Sequence, residues 1–233
     1  MSIYLVLIIV MAINGGLMFG FARAAHTPLM VRHRSRTERP RPMPEPEHRR
    51  NFLLNSTLSP MLVFAICFAL EERMFLAEAA DAMTIAWQSF AILALYDLTY
   101  YLMHRFAFHG WSVGRKMHGV HHRIRTPYVM DSLYLHPVEM MLGLGLFFVC
   151  VFVVGPVSVY TFGVCFFVYS AWNMYIHSAC ELPFFPFKAV SSLTTNHDKH
   201  HTSMRGGYYA SITPIFDILL GTATDDIKRR ADA

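Results

Sequence analysis

Three short stretches of the sequence concentrate histidine at regular spacing. HRFAFH covers residues 104–109, HGVHH covers 118–122 and HDKHH covers 197–201, and together they hold eight of the thirteen histidines. On an α-helix, residues three and four positions apart lie on one face, so each HxxHH motif can direct three imidazoles at one point. Imidazole is a common ligand of zinc, copper, iron and nickel. The spacing therefore predicts a metal site rather than isolated structural histidines.

The histidines are too numerous for a single ion. Metal sites in proteins usually take about four to six ligands, so eight or more convergent imidazoles indicate two ions. The sequence contains neither the HExxH motif of zinc proteases nor a pair of ExxH motifs of the kind that builds carboxylate di-iron bundles. We therefore predict a histidine-rich site for two ions.

The elements that carry these motifs are predicted to be membrane helices. The chain of 233 residues is 54% apolar and only 15% charged, and its mean hydropathy is +0.34. We predict an all-α, multi-pass transmembrane bundle of about five spans, with a histidine-rich helical cap on the cytosolic side. The first span is predicted to be a retained helix rather than a cleaved signal peptide, since no basic residue precedes it. The predicted spans are 3–22, 52–70, 83–103, 137–154 and 157–176.

Charge in the predicted loops sets the orientation. Residues 23–51 carry eight arginines against three glutamates, whereas residues 71–82 carry Arg73 against four acidic residues. Lysine and arginine collect on the cytoplasmic side of membranes. We therefore expect the active site on the cytosolic face. The protein is expected to be a multi-pass protein of a bacterial inner membrane. The basic loop 23–51 either contacts anionic lipid or only sets this topology.

The ordered motif set resembles the fatty acid hydroxylase/sterol desaturase superfamily of integral-membrane di-iron oxygenases. The resemblance covers residues 83–225 and implies a catalytic domain there. It leaves 1–82 as a two-span membrane region containing the basic loop 23–51, and 226–233 as a basic tail. The motifs are DLTYYLMHRFAFH (97–109), MHGVHHRIRTPY (117–128), LYLHPVE (133–139), WNMYIHS (172–178), and NHDKHH followed by GGYYASITPIFDILLGT (196–222).

Carried over position by position, the resemblance implies nine metal ligands. They are His104, His109, His118, His121, His122, His177, His197, His200 and His201. His109 lies about 500° of α-helical rotation beyond His104, so the helix must end or bulge for both to face the metal.

Five further residues are candidates for supporting roles. Asp97 and Asp198 are expected to accept the spare N–H of ligating histidines and so fix their tautomers. Tyr101 shares a helical stripe with Asp97 and His104. His136 is expected beside the metals rather than bound to them. Asn173, one turn before His177, is expected to hold a metal-bound water or to support a ligand.

The resemblance implies O₂-dependent hydroxylation or desaturation of a membrane lipid. Two iron ions and O₂ would act on an unactivated C–H bond of a fatty acyl, sterol or carotenoid lipid, and zinc can replace iron in a preparation. The HxxxxH spacing of the first motif resembles fatty acyl and carotenoid hydroxylases, whereas HPVE and FDILLGT resemble the sterol branch, so the lipid stays open. Electrons must come from a separate ferredoxin- or cytochrome-type donor with its reductase. No nucleic-acid partner is expected.

Three other classes of protein compete with this interpretation. A metal-ion transporter would place ionisable ligands near the middle of the membrane, whereas these histidines lie at helix ends. A haem protein with two axial histidines would need isolated histidine pairs facing each other within the spans. A zinc hydrolase built on the same scaffold would share the histidines but would not consume O₂.

Overall fold

The regular secondary structure is helical in the part of the chain that the computed structural model describes. That part comprises residues 1–34, 40–78, 80–184, 188, 190–202, 204 and 207–223, so the predicted tail 226–233 and residues 35–39 of the basic loop lie outside it. No strand occurs within these ranges, and the predicted all-α class is confirmed. The helices are α1 (Ile3–Ala24), α2 (Pro28–Arg32), α3 (Glu45–Met74), α4 (Ala82–Leu102), α5 (Ser112–His121), α6 (Pro137–Val154), α7 (Val159–Ile176), α8 (Ser191–His201) and α9 (Ile215–Leu219), with a π-helix at Met103–Phe108 and a 3₁₀-helix at Val129–Leu133.

Three of the described helices are long and apolar enough to cross a membrane. These are α1, α3 and α6, and they make this a membrane protein. Helices α4 and α7 coincide with the two remaining predicted spans, and α4 carries the buried polar residues Gln88, Ser89 and Asp97. The count of five spans and the orientation therefore stay predictions.

Local sequence signals set where the long helices begin and turn. Asp81 accepts the backbone N–H of Thr84 at 2.9 Å at the start of α4, and Ser158 accepts that of Thr161 at 3.0 Å at the start of α7. Such caps satisfy backbone donors that a helix start leaves unpaired. Gly155 ends α6 with a φ of 108°, which a residue with a Cβ rarely adopts, so glycine allows the turn from α6 to α7.

Small residues allow the bundle to pack closely. A Cβ placed on Gly163 of α7 would lie 2.7 Å from Val6 Cγ1 of α1, so only glycine permits this approach. Helix α4 packs between α6 and α7, where Tyr96 meets the rings of Phe147 and Tyr169. These contacts fix the helices whose ends carry the histidines.

A cap of short elements closes one end of the bundle. It is built from the π-helix, α5, the 3₁₀-helix, α8 and the segment 207–213. Helix α3 reaches into it, because α3 begins at Glu45 rather than near the start of its predicted span. Asn51 and Asn55 donate to the carbonyl of Leu135, and His48 contacts Asp131 at 2.8 Å. Part of the predicted basic loop is therefore helix that supports the cap.

Candidate metal centre

A π-helix brings the first histidine pair onto one face. The backbone N–H of His109 donates to the carbonyl of His104 at 3.0 Å, which is the five-residue step of a π-turn. A five-residue turn stacks residues that an α-helix would separate, and such turns are frequent at functional sites. Gly114 of α5 sits so close to Ala107 of this turn that a Cβ would collide with its carbonyl. The expected bulge is therefore present, and glycine packing holds it.

Each HxxHH motif divides between two separate clusters, so the expectation that it directs three imidazoles at one point is wrong. The two histidines four residues apart stay together, and the third joins the other cluster. His118 and His121 lie on α5, and His122 is the residue that ends it. His177 ends α7, and the last motif closes α8. One cluster, the five-histidine group, contains His104, His109, His118, His122 and His200; the other, the four-histidine group, contains His121, His177, His197 and His201. Within each group the ligand nitrogens lie within 4.8 Å of one another, so the structure brings all nine predicted ligands together.

Hydrogen bonds fix the tautomer of most of these rings. Six Nδ1 atoms face a backbone carbonyl oxygen, and the Nδ1 of His118 faces the Glu139 carboxylate. Carbonyl oxygens only accept, so each of the six nitrogens must carry the hydrogen and leave Nε2 with a lone pair. The carbonyl pairs are His104–Tyr209, His109–Met204, His121–Tyr134, His177–Asn173, His200–Gly207 and His201–Ile124, at 2.7–3.0 Å.

The Nε2 atoms then meet in a way that suits a metal ion. In the five-histidine group, His118 Nε2 lies 3.0 Å from that of His104 and 2.9 Å from that of His122. In the four-histidine group, His177 Nε2 lies 3.1 Å from that of His121 and 2.9 Å from that of His197. Imidazoles bound at about 2.1 Å and at right angles place neighbouring nitrogens about 3.0 Å apart. Lone pairs at this spacing repel unless a cation lies between them, so the donor set fits two ions.

Burial keeps the imidazoles neutral and ready to bind metal. Eight of the nine rings are buried, and His197 is partly exposed. Burial lowers the pKa of His118 to about 3, and burial with repulsion from His118 lowers the pKa of His109 to about 3. Burial, with a smaller contribution from His121, also lowers the pKa of His177 to about 3. Neutral imidazole is the form that coordinates metals.

Glu139 is a functional candidate to which sequence reasoning gave no role. Its Oε1 contacts His118 Nδ1 at 2.6 Å, the residue is 4% exposed, and Oε2 has no partner among the described residues. The signal was present in HPVE, where a carboxylate enters the first turn of an apolar helix. A charge at such a position is costly and implies a partner. The partner is a predicted metal ligand.

Asp97 has different partners from those expected. Its carboxylate accepts the backbone N–H groups of Ser211, Ile212 and Thr213 and the Thr213 hydroxyl, at 2.6–3.2 Å. The expectation that it accepts a histidine N–H is therefore corrected. It holds the segment that carries the Tyr209 carbonyl, which in turn orients His104.

Asp217 anchors the same segment, and sequence reasoning did not single it out. Its carboxylate accepts the N–H groups of Tyr209 and Ala210 at 2.8 Å. Tyr101 also bonds to the C-terminal segment, since its hydroxyl lies 3.0 Å from Thr222 Oγ1 and accepts from Arg105 at 2.7 Å. Both residues support the cap at a distance from the Nε2 atoms.

The remaining predicted residues take three different places. His136 caps α6, where its Nδ1 accepts the N–H of Val138 at 3.2 Å. Asn173 uses its carbonyl to orient His177, and it lines the cavity described next. Asp198 is buried on α8 between His197 and His200, and its predicted support of a ligand stays a prediction.

An apolar cavity of about 540 Å³ runs from the four-histidine group into the bundle. His121 and His177 line its histidine end, and Glu139 lies on its wall. On α7 the lining extends from His177 back to Phe166, or about 16 Å of helix. Leu144 of α6 and Tyr96 of α4 also line it. Its size falls in the range of small-molecule sites, about 300–1,000 Å³, and its walls suit a hydrocarbon.

Comparison with known proteins gives a consistent set of relatives. A model of the fatty acid hydroxylase family matches residues 89–222. A very-long-chain aldehyde decarbonylase of Oryza sativa subsp. indica is 26% identical, over 74% of this chain and 68% of its own length. Methylsterol monooxygenase 1 of Gallus gallus is 29% identical, over 58% of this chain and 45% of its own. A methylsterol monooxygenase of Aspergillus fumigatus is 29% identical, over 64% of this chain and 52% of its own length. No solved structure matches the chain.

Proposed function

Because the chain belongs to the fatty acid hydroxylase family, we propose that it is an O₂-dependent di-iron oxygenase that hydroxylates or desaturates a C–H bond of a membrane lipid. The observation that carries the proposal is an apolar cavity that ends at His121 and His177 of the four-histidine group, with the five-histidine group packed beside that group. The matches span about half the length of the methylsterol monooxygenases, so a whole relative's activity is not transferred.

The proposed ligands are the nine histidines of the two groups. Iron bound there would activate O₂, with two electrons from a separate donor and two protons from solvent. In hydroxylation one oxygen atom would enter the C–H bond and the other would leave as water, whereas in desaturation both would leave as water. The all-imidazole donor set also accepts zinc. The carbonyls and Glu139 hold the rings in place, because a ligand whose second nitrogen is fixed cannot rotate away from the metal.

The cavity would position the substrate and exclude water from the reacting carbon. A hydrocarbon chain lying between α1, α3 and α7 places a carbon near His121 and His177, while the apolar walls exclude water from that end. Fatty acyl, sterol and carotenoid lipids all satisfy this description. The relatives named for methylsterols and for very-long-chain aldehydes extend the list of lipids worth testing.

The electron donor is proposed to dock on the cap. Arg115 and Lys116 of α5 and Arg125 after it are exposed beside the histidine motifs. Exposed cations of this kind attract an acidic carrier of the ferredoxin or cytochrome type. Under the proposed topology this face lies in the cytosol. Labelling of a cysteine placed at 115 from outside the cell would refute that orientation, as would failure to label one placed at 77.

The decisive experiment is a reconstitution with isotopic oxygen. Protein purified without metal is loaded with Fe(II) under anaerobic conditions and supplied with lipids, a reductant and ¹⁸O₂. Hydroxylation puts ¹⁸O in the lipid, desaturation gives an alkene and labelled water, and both need iron. Product formed without O₂ by the zinc form would support a zinc hydrolase instead, and metal flux into proteoliposomes would support a transporter.

A further inference from the structure

Helices α1 and α3 form one side of the cavity although they lie outside the region that the family shares. The family match begins at residue 89, whereas α1 contributes six lining residues and α3 contributes four. Those of α3 include Ser56 and Ser59, and those of α1 are apolar or glycine except Asn14. This wall is where the chain can differ from its relatives in the lipid that it accepts.

Asn14 is an unexpected residue on such a wall. It lies in a membrane-spanning helix, where an amide is costly without a partner. Its Oδ1 is buried and has no hydrogen-bond partner among the described residues. Asn14 therefore does not bind a neighbouring helix through that atom. The side chain lines the cavity and makes no hydrogen bond to a described residue, so the end of the amide that is not buried is left to bind what occupies the cavity.

The depth of Asn14 follows from the packing of α1 on α7. Both helices direct their C-terminal ends to the cap, because Tyr128 donates to the carbonyl of Phe21 and His177 ends α7. Val6 lies against Gly163, so Asn14, eight residues further along, is level with about residue 171. That level is roughly 10 Å of helix short of His177. A ligand that reaches from Asn14 to the four-histidine group therefore spans about this length.

We propose that Asn14 determines specificity by binding the hydroxyl group of the lipid in the cavity, which sets the reacting carbon roughly 10 Å away at His121 and His177. A hydroxyl both donates and accepts, so it pairs with whichever end of the amide faces the cavity. That the lipid hydroxyl belongs to a substrate rests on the proposed function. The hydroxyl belongs to a long-chain alcohol or to a sterol, and the experiment separates these sources.

Binding of matched lipids tests this without turnover. The zinc-loaded protein in phosphatidylcholine nanodiscs is given octadecanol or octadecane, and cholestanol or cholestane, and dissociation constants are measured. Loss of one buried hydrogen bond corresponds to roughly tenfold in affinity. We expect the wild type to prefer one alcohol about tenfold over its hydrocarbon, and Asn14→Leu to reduce that preference to less than about twofold. Ile13→Leu, on the lipid-facing side of α1, should keep the preference.

The outcomes separate this inference from the function on which it rests. Equal binding of alcohol and hydrocarbon by the wild type, or an unchanged preference in Asn14→Leu, overturns the role of Asn14. If Asn14→Leu also loses hydrocarbon binding, Asn14→Ser decides, because it keeps a hydrogen-bonding group and should keep part of the preference. A wild type that discriminates alcohols but forms no O₂-dependent product supports the Asn14 site and refutes the oxygenase.

Discussion

The five-histidine group and the four-histidine group share helices α5 and α8 but have different neighbours. Helix α5 and helix α8 each give histidines to both groups. The five-histidine group is tied to a carboxylate, through His118 and Glu139, and none of its described histidines lines the cavity. Two members of the four-histidine group, His121 and His177, do line it, and their Nδ1 atoms rest on carbonyls.

This difference indicates a division of labour between the two proposed ions. An ion with right-angle ligands takes up to about six, so four imidazoles leave about two positions free and five leave about one. The free positions of the four-histidine group would face the cavity, where the lipid lies. The five-histidine group would hold its ion more tightly, because it has one more ligand and an anionic acceptor behind His118.

The largest effect is expected from removing one ligand from each group. His200→Ala leaves four histidines in one group, and His201→Ala leaves three in the other. Both should lower activity by more than the roughly 10–100-fold typical of residues that only support a ligand. His201→Ala should also lose more metal on dialysis, as measured by elemental analysis. His26→Ala, exposed before α2, is the control and should match the wild type. Equal metal loss in the two variants would remove the distinction between the groups.

Glu139→Gln should weaken one ion and spare the other. Glutamine keeps the shape and can still accept from His118 Nδ1, but it lacks the negative charge that makes the imidazole a stronger ligand. We expect activity to fall about 10–100-fold and one of two ions to become easier for a chelator to remove. The matched control is Glu72→Gln, which changes an exposed glutamate at the end of α3 that lies away from the cap. Two ions released together at the wild-type rate would contradict the proposed link to the five-histidine group.

Asp97→Asn should act through the backbone that orients the five-histidine group. An amide turned toward the N–H groups of 211–213 satisfies fewer of them than the carboxylate does, at a cost of about 1–3 kcal/mol. We expect faster amide hydrogen exchange at 209–213 and about tenfold lower activity. Asp81→Asn changes the same residue type at the other end of α4, and it should not alter exchange at 209–213. Unchanged exchange in Asp97→Asn would exclude this indirect route to His104.

The residues that sequence reasoning found and missed differ in how far their partners lie along the chain. The helical class depends on neighbours three or four residues away, which the sequence displays, and so does the pairing of His118 with His122 and of His197 with His201. The third histidine of each HxxHH motif was expected at the same point and instead joins the other group. The hydrogen-bond acceptor for His104 is the backbone carbonyl of Tyr209, which is 105 residues away. Every residue carries a backbone carbonyl. No side-chain pattern marks such an acceptor. Asp97 was expected to bind a histidine for the same reason: its true partners are backbone N–H groups more than a hundred residues later.

The smallest effect is expected at His136, which distinguishes a helix cap from a residue of the metal centre. Its Nδ1 accepts the N–H of Val138, and the ring belongs to neither histidine group. His136→Ala should lower stability by about 0.5–1 kcal/mol, as loss of a cap does, and leave two ions and near-normal activity. His136→Asn restores a capping acceptor and should recover the thermal midpoint. If the alanine variant instead lost metal while the asparagine variant regained stability but no metal, His136 would belong with the ligands. His136 would then have to be added to one of the two histidine groups.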